Sequence, residues 1–217
     1  MRRLAAAVLA SLGGGVIMVL EVIGARYLAK DFGGSFYVWV SQIGIILLAL
    51  AVGYYLGGAL ADRFQRLGLL AFLLLPAGVF TFAVPVLAPP VVAAIIERHP
   101  AQQAIPLVWQ KLDPALGSLA VFFLPCLVLA TLPPYLIRWA TPQLSQVGRA
   151  SGVVIASSTL GSIAGVFVAG YFLIDWMKVS AIFRLMGALT ILAGVMALAL
   201  DHWFRAPRVP GQPRPAL

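Results

Sequence analysis

The sequence predicts an all-α integral membrane protein with six transmembrane helices. Hydrophobic residues make up 62% of the 217 residues and charged residues only 10%, which is far from the balance found in soluble domains. A bilayer core about 30 Å thick requires roughly 20 apolar residues per helix, and six apolar runs meet that length. They lie near residues 4–25, 38–61, 67–87, 115–137, 151–174 and 180–200.

Span 1 follows the basic pair Arg2 and Arg3, as the apolar core of a secretory signal peptide would. Its apolar run, however, continues to about Ala25, whereas the core of a signal peptide is only about 7–15 residues long. We therefore interpret residues 4–25 as a membrane span that stays in the protein.

The end of span 3 is the least regular part of the pattern, because the apolar run continues through several prolines to Glu97. Proline removes a backbone donor and disfavours a straight helix. The sequence therefore predicts a kink or a re-entrant end over residues 88–97. The prolines of this run are Pro76, Pro85, Pro89 and Pro90.

Span 4 follows the longest predicted loop, residues 98–114. Within that loop the segment IPLVWQKL, residues 105–112, is predicted to lie in the membrane interface as a short amphipathic segment. Pro125, Pro133 and Pro134 predict that span 4 itself is bent.

Arginine and lysine residues indicate the orientation. With a cytoplasmic N-terminus, one side would carry Arg2, Arg3, Arg63, Arg66, Arg138, Arg149, Arg205, Arg208 and Arg214. The other side would carry Arg26, Lys30, Arg98, Lys111, Lys178 and Arg184. The excess of positive charge predicts that both termini are cytoplasmic. The basic, proline-rich residues 204–217 are predicted to be a disordered cytoplasmic tail.

Charge and cysteine content argue against several other functions. The net charge of +8 comes from basic residues at the ends of apolar runs, so we expect no nucleic-acid partner. Cys126 is the only cysteine, which excludes an internal disulfide and a cysteine-based zinc site. His99 and His202 fall on opposite predicted faces, so we expect no metal site. Nor does the sequence contain a hydrolase triad or a pair of carboxylates at catalytic spacing.

Spans 2 and 5 each carry small residues at every fourth position, a pattern that lets two helix backbones approach closely. The strip on span 2 is Ala49, Gly53, Gly57 and Ala61, and the strip on span 5 is Ser157, Gly161, Gly165 and Ala169. A shift of about 112 residues lays three of the four positions of one strip on the other and brings Asp62 within one residue of Asp175. This predicts an inverted 3+3 repeat, although small-residue strips are also common in unrelated helix bundles.

Glu21 is an acidic residue in an otherwise apolar stretch of span 1. A charge near the bilayer centre is costly, so Glu21 needs a partner, a proton or a water-filled site. The nearest candidates are Arg26, which a loosening of the helix at Gly24 could bring closer, and Ser41 and Gln42, which enter span 2 at a similar depth. The group is either a structural clasp between spans 1 and 2 or a cation site facing a cavity.

The loop between spans 2 and 3 contains Asp62, Arg63 and Arg66 in the segment GGALADRFQR, residues 57–66. This segment resembles the cytoplasmic loop motif of major facilitator transporters, in which an acid and arginines brace neighbouring helix ends. The resemblance implies a bracing role for these three residues and a fold similar to half of such a transporter.

Two longer segments carry a second resemblance. They are EVIGARYLAKDFGGSFYVWVSQIGIILLALAVGYYLGGALADR, residues 21–63, and VGRASGVVIASSTLGSIAGVFVAGYFLI, residues 147–174. Together they resemble the membrane half of bacterial membrane-bound spermidine-synthase-like proteins, over about residues 10–175. The resemblance implies location in the bacterial inner membrane. One departure is Lys30, where proline is expected in that family.

Members of that family continue into a soluble, Rossmann-like aminopropyltransferase domain, and this sequence contains no comparable segment. GSIAG, residues 161–165, lies inside an apolar span and cannot act as the glycine-rich turn that binds a cofactor. We therefore expect a chain without a cofactor and without enzymatic activity of its own.

The sequence is compatible with three functions. The favoured hypothesis is a non-catalytic membrane module that anchors or assists other membrane subunits, a soluble synthase-like protein or a second copy of itself, with the small-residue strips as docking surfaces. The alternative is a transporter of protons, small cations or polyamines, built as a homodimer of six-span halves, with Glu21 as the cation or proton group. The third, an enzyme of polyamine synthesis, is opposed by the missing cofactor fold.

Overall fold

The computed structural model describes residues 1–34, 36–64, 66–100, 104–141 and 143–204, except for the side chain of Leu144. Helix accounts for 92% of the described residues, and none of them lies in a strand. Six helices are long and apolar enough to cross a membrane, which confirms the predicted fold class. They are α1 (Arg2–Phe32), α2 (Phe36–Phe64), α3 (Leu67–Glu97), α4 (Leu107–Ala140), α5 (Val147–Trp176) and α6 (Val179–Phe204). The predicted tail lies outside the described residues from residue 205 onward.

Helix α3 continues without interruption from Leu67 to Glu97, through all four of its prolines. Of the two alternatives, a kink or a re-entrant end, the structure does not form the re-entrant end, since residues 88–97 extend the helix. In a membrane, helical geometry keeps most backbone groups hydrogen-bonded in the absence of water, and this outweighs the donors that proline removes.

Helix α4 is irregular along its length. It consists of an α-helix over Leu107–Ser118, a π-helical turn over Leu119–Phe123 and a second α-helix over Leu124–Ala130. After a break at Thr131 it continues as a third α-helix, Leu132–Ala140. Pro133 and Pro134 cannot donate to the carbonyl groups four residues earlier, which explains the break and agrees with the predicted bend.

The predicted interfacial segment at 105–112 is not separate from span 4. Helix α4 begins at Leu107, so most of this segment forms its first turns. The helix can begin this early because Asp113, the acidic residue in these turns, is paired with Arg98 and His99 and does not have to face solvent or lipid alone.

Helix α5 is α-helical over Val147–Val168, has a π-helical turn over Ala169–Leu173 and ends with a short α-helix, Ile174–Trp176. A short 3₁₀ helix, Leu144–Gln146, precedes it. At the other end of the bundle, α1 ends at Gly33, whose φ of 83° is readily adopted only by glycine.

The bundle has two central helices. In the most apolar stretch of each helix, 61% of the residues are buried in α4 and 56% in α1, against 44% in both α3 and α6. Helix α2 packs along α4, α5 packs along α1, and α3 and α6 form a long pair. Helices α2 and α5 are peripheral, because only 22% of the corresponding stretch is buried in each.

The two ends of the bundle are called here the terminal face and the distal face. The terminal face contains residues 2 and 204, because the Arg2 guanidinium lies over the rings of Trp139 and Phe204. The distal face contains the ends of α1, α3 and α5 and the starts of α2, α4 and α6. By the arginine and lysine distribution, the terminal face is the one predicted to be cytoplasmic.

Candidate functional site

The four residues predicted to form an intramembrane site do not come together. Helix α1 is regular through Gly24, so the five-residue separation of Glu21 and Arg26 turns their side chains apart by roughly 140°. Arg26 is exposed toward the distal face, whereas Glu21 is half-buried. Within the described part of the chain, neither a hydrogen bond nor an ion pair involves Glu21.

Gln42 forms a buried hydrogen bond between α2 and α4. The Ser118 hydroxyl donates to Oε1 of Gln42 at 2.7 Å, and both residues are almost fully buried. The amide nitrogen Nε2 of Gln42 has no hydrogen-bond partner among the described residues. Gly24 of α1 makes room for this side chain, because a Cβ atom there would overlap Nε2 of Gln42 and the ring of Phe122.

Ser41 is directed elsewhere, since its hydroxyl donates to the backbone carbonyl of Lys111 at 3.5 Å. The clasp predicted between spans 1 and 2 is therefore replaced by contacts between α2 and α4. Ser118 was missed. The only signal for it was a hydroxyl residue in an apolar run, at a depth similar to that of Gln42 on the neighbouring span.

A crevice lies between α2, the last part of α4 and α5. Its deeper part, a cavity of about 290 Å³, is lined by Tyr54, Pro133, Pro134, Ile137, Ile155, Ser158 and Thr159. A second cavity of about 530 Å³ continues it to the terminal face and is lined by Gly58, Asp62, Pro134, Ile137, Arg138, Thr141 and Val147. We call the two together the α2/α5 crevice. Hydroxyl groups line its deep end and an ion pair lines its mouth.

The residues predicted to brace the terminal face contribute in three different ways. Asp62 accepts a hydrogen bond from Nε of Arg138 on α4 at 3.3 Å. Arg66 is held through its backbone, because its N–H donates to the Tyr135 hydroxyl at 3.1 Å and that hydroxyl donates to the Arg66 carbonyl at 2.6 Å. The Arg63 guanidinium lies over the ring of its neighbour Phe64. Tyr135, which is fully buried, was not predicted.

Both small-residue strips are covered by helices of the same chain. A Cβ atom on Gly53 would overlap the Leu127 carbonyl of α4, and one on Gly57 would overlap the backbone of Thr131. Ala49 and Ala61 of the same strip are buried as well. The strip on α2 is therefore a packing surface for α4.

The strip on α5 packs on α1 in the same way. A Cβ atom on Gly161 would overlap the Ser11 carbonyl, and one on Gly165 would overlap the backbone of Gly15. Ser157 is half-buried and Ala169 is buried. Because both strips are occupied within the chain, the expectation that they dock a partner is corrected.

A second polar cluster, at the distal face, was also missed. The Asp113 carboxylate, only 4% exposed, accepts a hydrogen bond from the Arg98 guanidinium and lies 2.8 Å from Nε2 of His99. The guanidinium of Arg98 lies 4.3 Å from the ring centre of Trp109. This cluster ties the end of α3 to the start of α4. Among the described residues, no group of three or more His, Cys, Asp or Glu side chains is placed to hold a metal ion.

Comparison with known proteins gives no match to a family model, to a curated protein or to a solved structure. The resemblance to spermidine-synthase-like membrane domains and to facilitator transporters therefore stays a prediction.

Proposed function

We propose that the chain is a non-catalytic multi-pass membrane module, an accessory subunit that docks a partner through the face formed by α2 and α5. One observation carries the proposal: in these two helices only 22% of the most apolar stretch is buried within the chain, against 44–61% in the other four. Their remaining surface faces lipid or another membrane protein.

Tyrosines in the middle of α2 favour a protein partner over lipid. Tyr55 is 77% exposed and Tyr54 is 47% exposed. They lie nine and ten residues before Phe64, so about 14–15 Å from the end of the helix. No described residue hydrogen-bonds either hydroxyl. Tyrosine is normally placed at the membrane interface, where its hydroxyl is solvated, and a partner helix with an acceptor group would satisfy a hydroxyl at this depth.

The α2/α5 crevice supports the same conclusion. Three hydroxyl residues, Tyr54, Ser158 and Thr159, line its deep end. The Thr159 hydroxyl already donates to the Ile155 carbonyl at 3.0 Å, but it retains the capacity to accept a hydrogen bond. A side chain from a partner helix that enters the crevice would find both apolar walls and hydrogen-bonding groups.

The identity of the partner follows from the resemblance alone. In the family that the sequence resembles, a membrane half is joined to a soluble synthase. The partner in this proposal is therefore a soluble synthase-like protein with its own membrane contact, another membrane subunit or a second copy. The bacterial inner membrane and cytoplasmic termini belong to the same proposal.

Site-specific photo-crosslinking in the native membrane tests the docking face. A benzophenone amino acid replaces Tyr55 on α2 and, as the matched control, Phe72 on α3, which is also aromatic and 73% exposed. We expect a discrete crosslinked product from position 55 and none from position 72, and mass spectrometry of that product identifies the partner. Equal crosslinking at both positions, or crosslinks only to lipid, would contradict the proposal.

A second candidate function, a homodimeric transporter of protons, small cations or polyamines, is favoured by the break in α4. Discontinuous helices at the interface of two inverted repeats are common at substrate sites of transporters, and Pro133 and Pro134 beside the break line the crevice. The packing of α2 on α4 and of α5 on α1 is also the pattern that an inverted 3+3 repeat would produce.

Uptake into proteoliposomes distinguishes this second function. Under it, Glu21→Gln abolishes spermidine or proton uptake, whereas Glu97→Gln, at the exposed end of α3, leaves uptake intact. A protein that transports neither, with Tyr55 crosslinked to a different polypeptide, favours the accessory module.

A further inference from the structure

A basic cavity opens near the distal face between α1, α3 and α6, away from the α2/α5 crevice. Its volume is about 390 Å³. Two cationic residues, Arg26 and Lys30, lie in its wall together with the hydroxyl residues Tyr27 and Ser180. Pro85 and Phe183 form part of the apolar remainder of the wall.

The positive charge of this cavity is only partly neutralised within the protein. The Lys30 ammonium lies 3.4 Å from the Asp31 carboxylate and 4.6 Å from the ring centre of Tyr27. Arg26 has no ion pair among the described residues and is exposed. Tyr27 is only 8% exposed, and its buried hydroxyl has no hydrogen-bond partner among them either. An anionic group in the cavity would therefore meet one unpaired guanidinium and one shared ammonium.

The length of α1 indicates that the cavity lies close to the boundary between the hydrocarbon core and the lipid headgroups. Helix α1 has 31 residues and is therefore roughly 46 Å long at about 1.5 Å per residue, which exceeds the hydrocarbon core of about 30 Å. Arg26 lies six residues, or about 9 Å, before the distal end of α1, close to the boundary between hydrocarbon and headgroups. Helix α6 begins at Val179, beside the cavity, and the N-terminal end of a helix favours negative charge.

We propose that this distal cavity binds the phosphate group of a membrane phospholipid. The Arg26 guanidinium and the Lys30 ammonium donate to the phosphate oxygens, and the Ser180 hydroxyl donates a further hydrogen bond. Pro85, Phe183 and the other apolar side chains contact the glycerol backbone and the first methylene groups of the acyl chains. The bound lipid would tie α1, α3 and α6 together at their distal ends.

Native mass spectrometry of the full-length protein in detergent, titrated with phosphatidylglycerol, tests this proposal. Diacylglycerol, which has the same acyl chains but lacks phosphate, serves as the ligand control. Arg26→Gln is expected to weaken phosphatidylglycerol binding about tenfold, because it removes a charge-assisted hydrogen bond. Arg184→Gln is the matched control, because Arg184 is an exposed cation on the same end of α6, and its effect should be within about twofold.

Lys30→Gln provides a second, independent variant. Its effect should be smaller than that of Arg26→Gln, because Asp31 and the Tyr27 ring already share the ammonium charge. Both variants alter exposed side chains, so their melting temperatures without added lipid should equal that of the unaltered protein.

Three results would overturn the proposal. The first is equal weakening by Arg26→Gln and Arg184→Gln, which would indicate attraction to the face as a whole. The second is diacylglycerol binding as tight as that of phosphatidylglycerol, which would show that the phosphate is not recognised. The third is displacement of the lipid by excess inorganic phosphate with the same dependence on Arg26, which would make a soluble anion the ligand.

Discussion

Two helix contacts of the molecule, called here the α1–α5 seam and the α2–α4 seam, are each built on a strip of small residues. The two strips pack on different kinds of partner helix. In the α1–α5 seam both helices contribute small residues: Gly161 contacts the backbone of Ser11, and Gly165 contacts the backbone of Gly15. In the α2–α4 seam the glycines at the contact lie on α2, and α4 contributes Ala130 beside larger residues. There Gly53 and Gly57 pack on α4 at the Leu127 carbonyl and at the break around Thr131.

This difference determines how much each seam can adjust. Across the α1–α5 seam one regular helix backbone packs directly on another, so an added methyl group can be accommodated only by moving whole helices apart. Across the α2–α4 seam the partner is an interrupted helix, whose local geometry can change at the break with less loss of hydrogen bonding. Close approach should therefore be required more strictly between α1 and α5 than between α2 and α4.

The largest effect is expected for Gly161→Ala. The new Cβ atom would overlap the Ser11 backbone, and overpacking of a rigid contact costs up to about 3 kcal/mol of unfolding free energy. Gly170→Ala is the matched control on the same helix, because nothing lies within 4 Å of a Cβ atom there. Unfolding in mixed micelles, followed by circular dichroism, gives the free energies. Equal stability of the two variants would show that the seam is not tightly packed.

A smaller loss, of about 1–2 kcal/mol, is expected for Gly57→Ala. Its Cβ atom would also meet backbone, at Thr131, but α4 can shift there. Gly58→Ala, one position along and with no atom within 4 Å of the new Cβ, should leave stability unchanged or slightly higher, since alanine is the better helix former. A loss for Gly57→Ala that equals or exceeds the loss for Gly161→Ala would remove the distinction between the seams.

The sequence predicted the helices and the strips better than their partners. Long apolar runs identify spans because the thickness of the bilayer fixes their length, and spacing by four identifies a small face on each helix. Neither pattern says which helix covers that face. The strips were consequently assigned to an external partner, although α4 and α1 of the same chain occupy them.

Polar pairs were missed for the same reason. Gln42 was predicted to join Glu21 on the neighbouring span in sequence, but its hydrogen bond is with Ser118, 76 residues away. Asp113 likewise depends on Arg98 and His99 across a loop. Such pairs are set by the packing of α4 against α2 and α3, and a single sequence carries no direct signal of that packing.

The hydrogen bond between Ser118 and Gln42 provides the finest test of the α2–α4 seam. If close approach matters less where α4 is interrupted, this hydrogen bond should contribute a measurable part of the free energy that holds α2 on α4. Ser118→Ala is expected to lower the unfolding free energy by about 0.6–1.7 kcal/mol. This range runs from the average to the maximum value measured for hydrogen bonds between membrane helices.

Gln42→Leu removes the amide whose nitrogen already has no partner among the described residues, so the unfolding free energy that it loses should be no larger. In a double-mutant cycle the coupling between the two positions isolates the hydrogen bond from the loss of packing. A coupling near zero would mean that this buried hydrogen bond adds nothing to the close packing of Gly53 and Gly57 on α4.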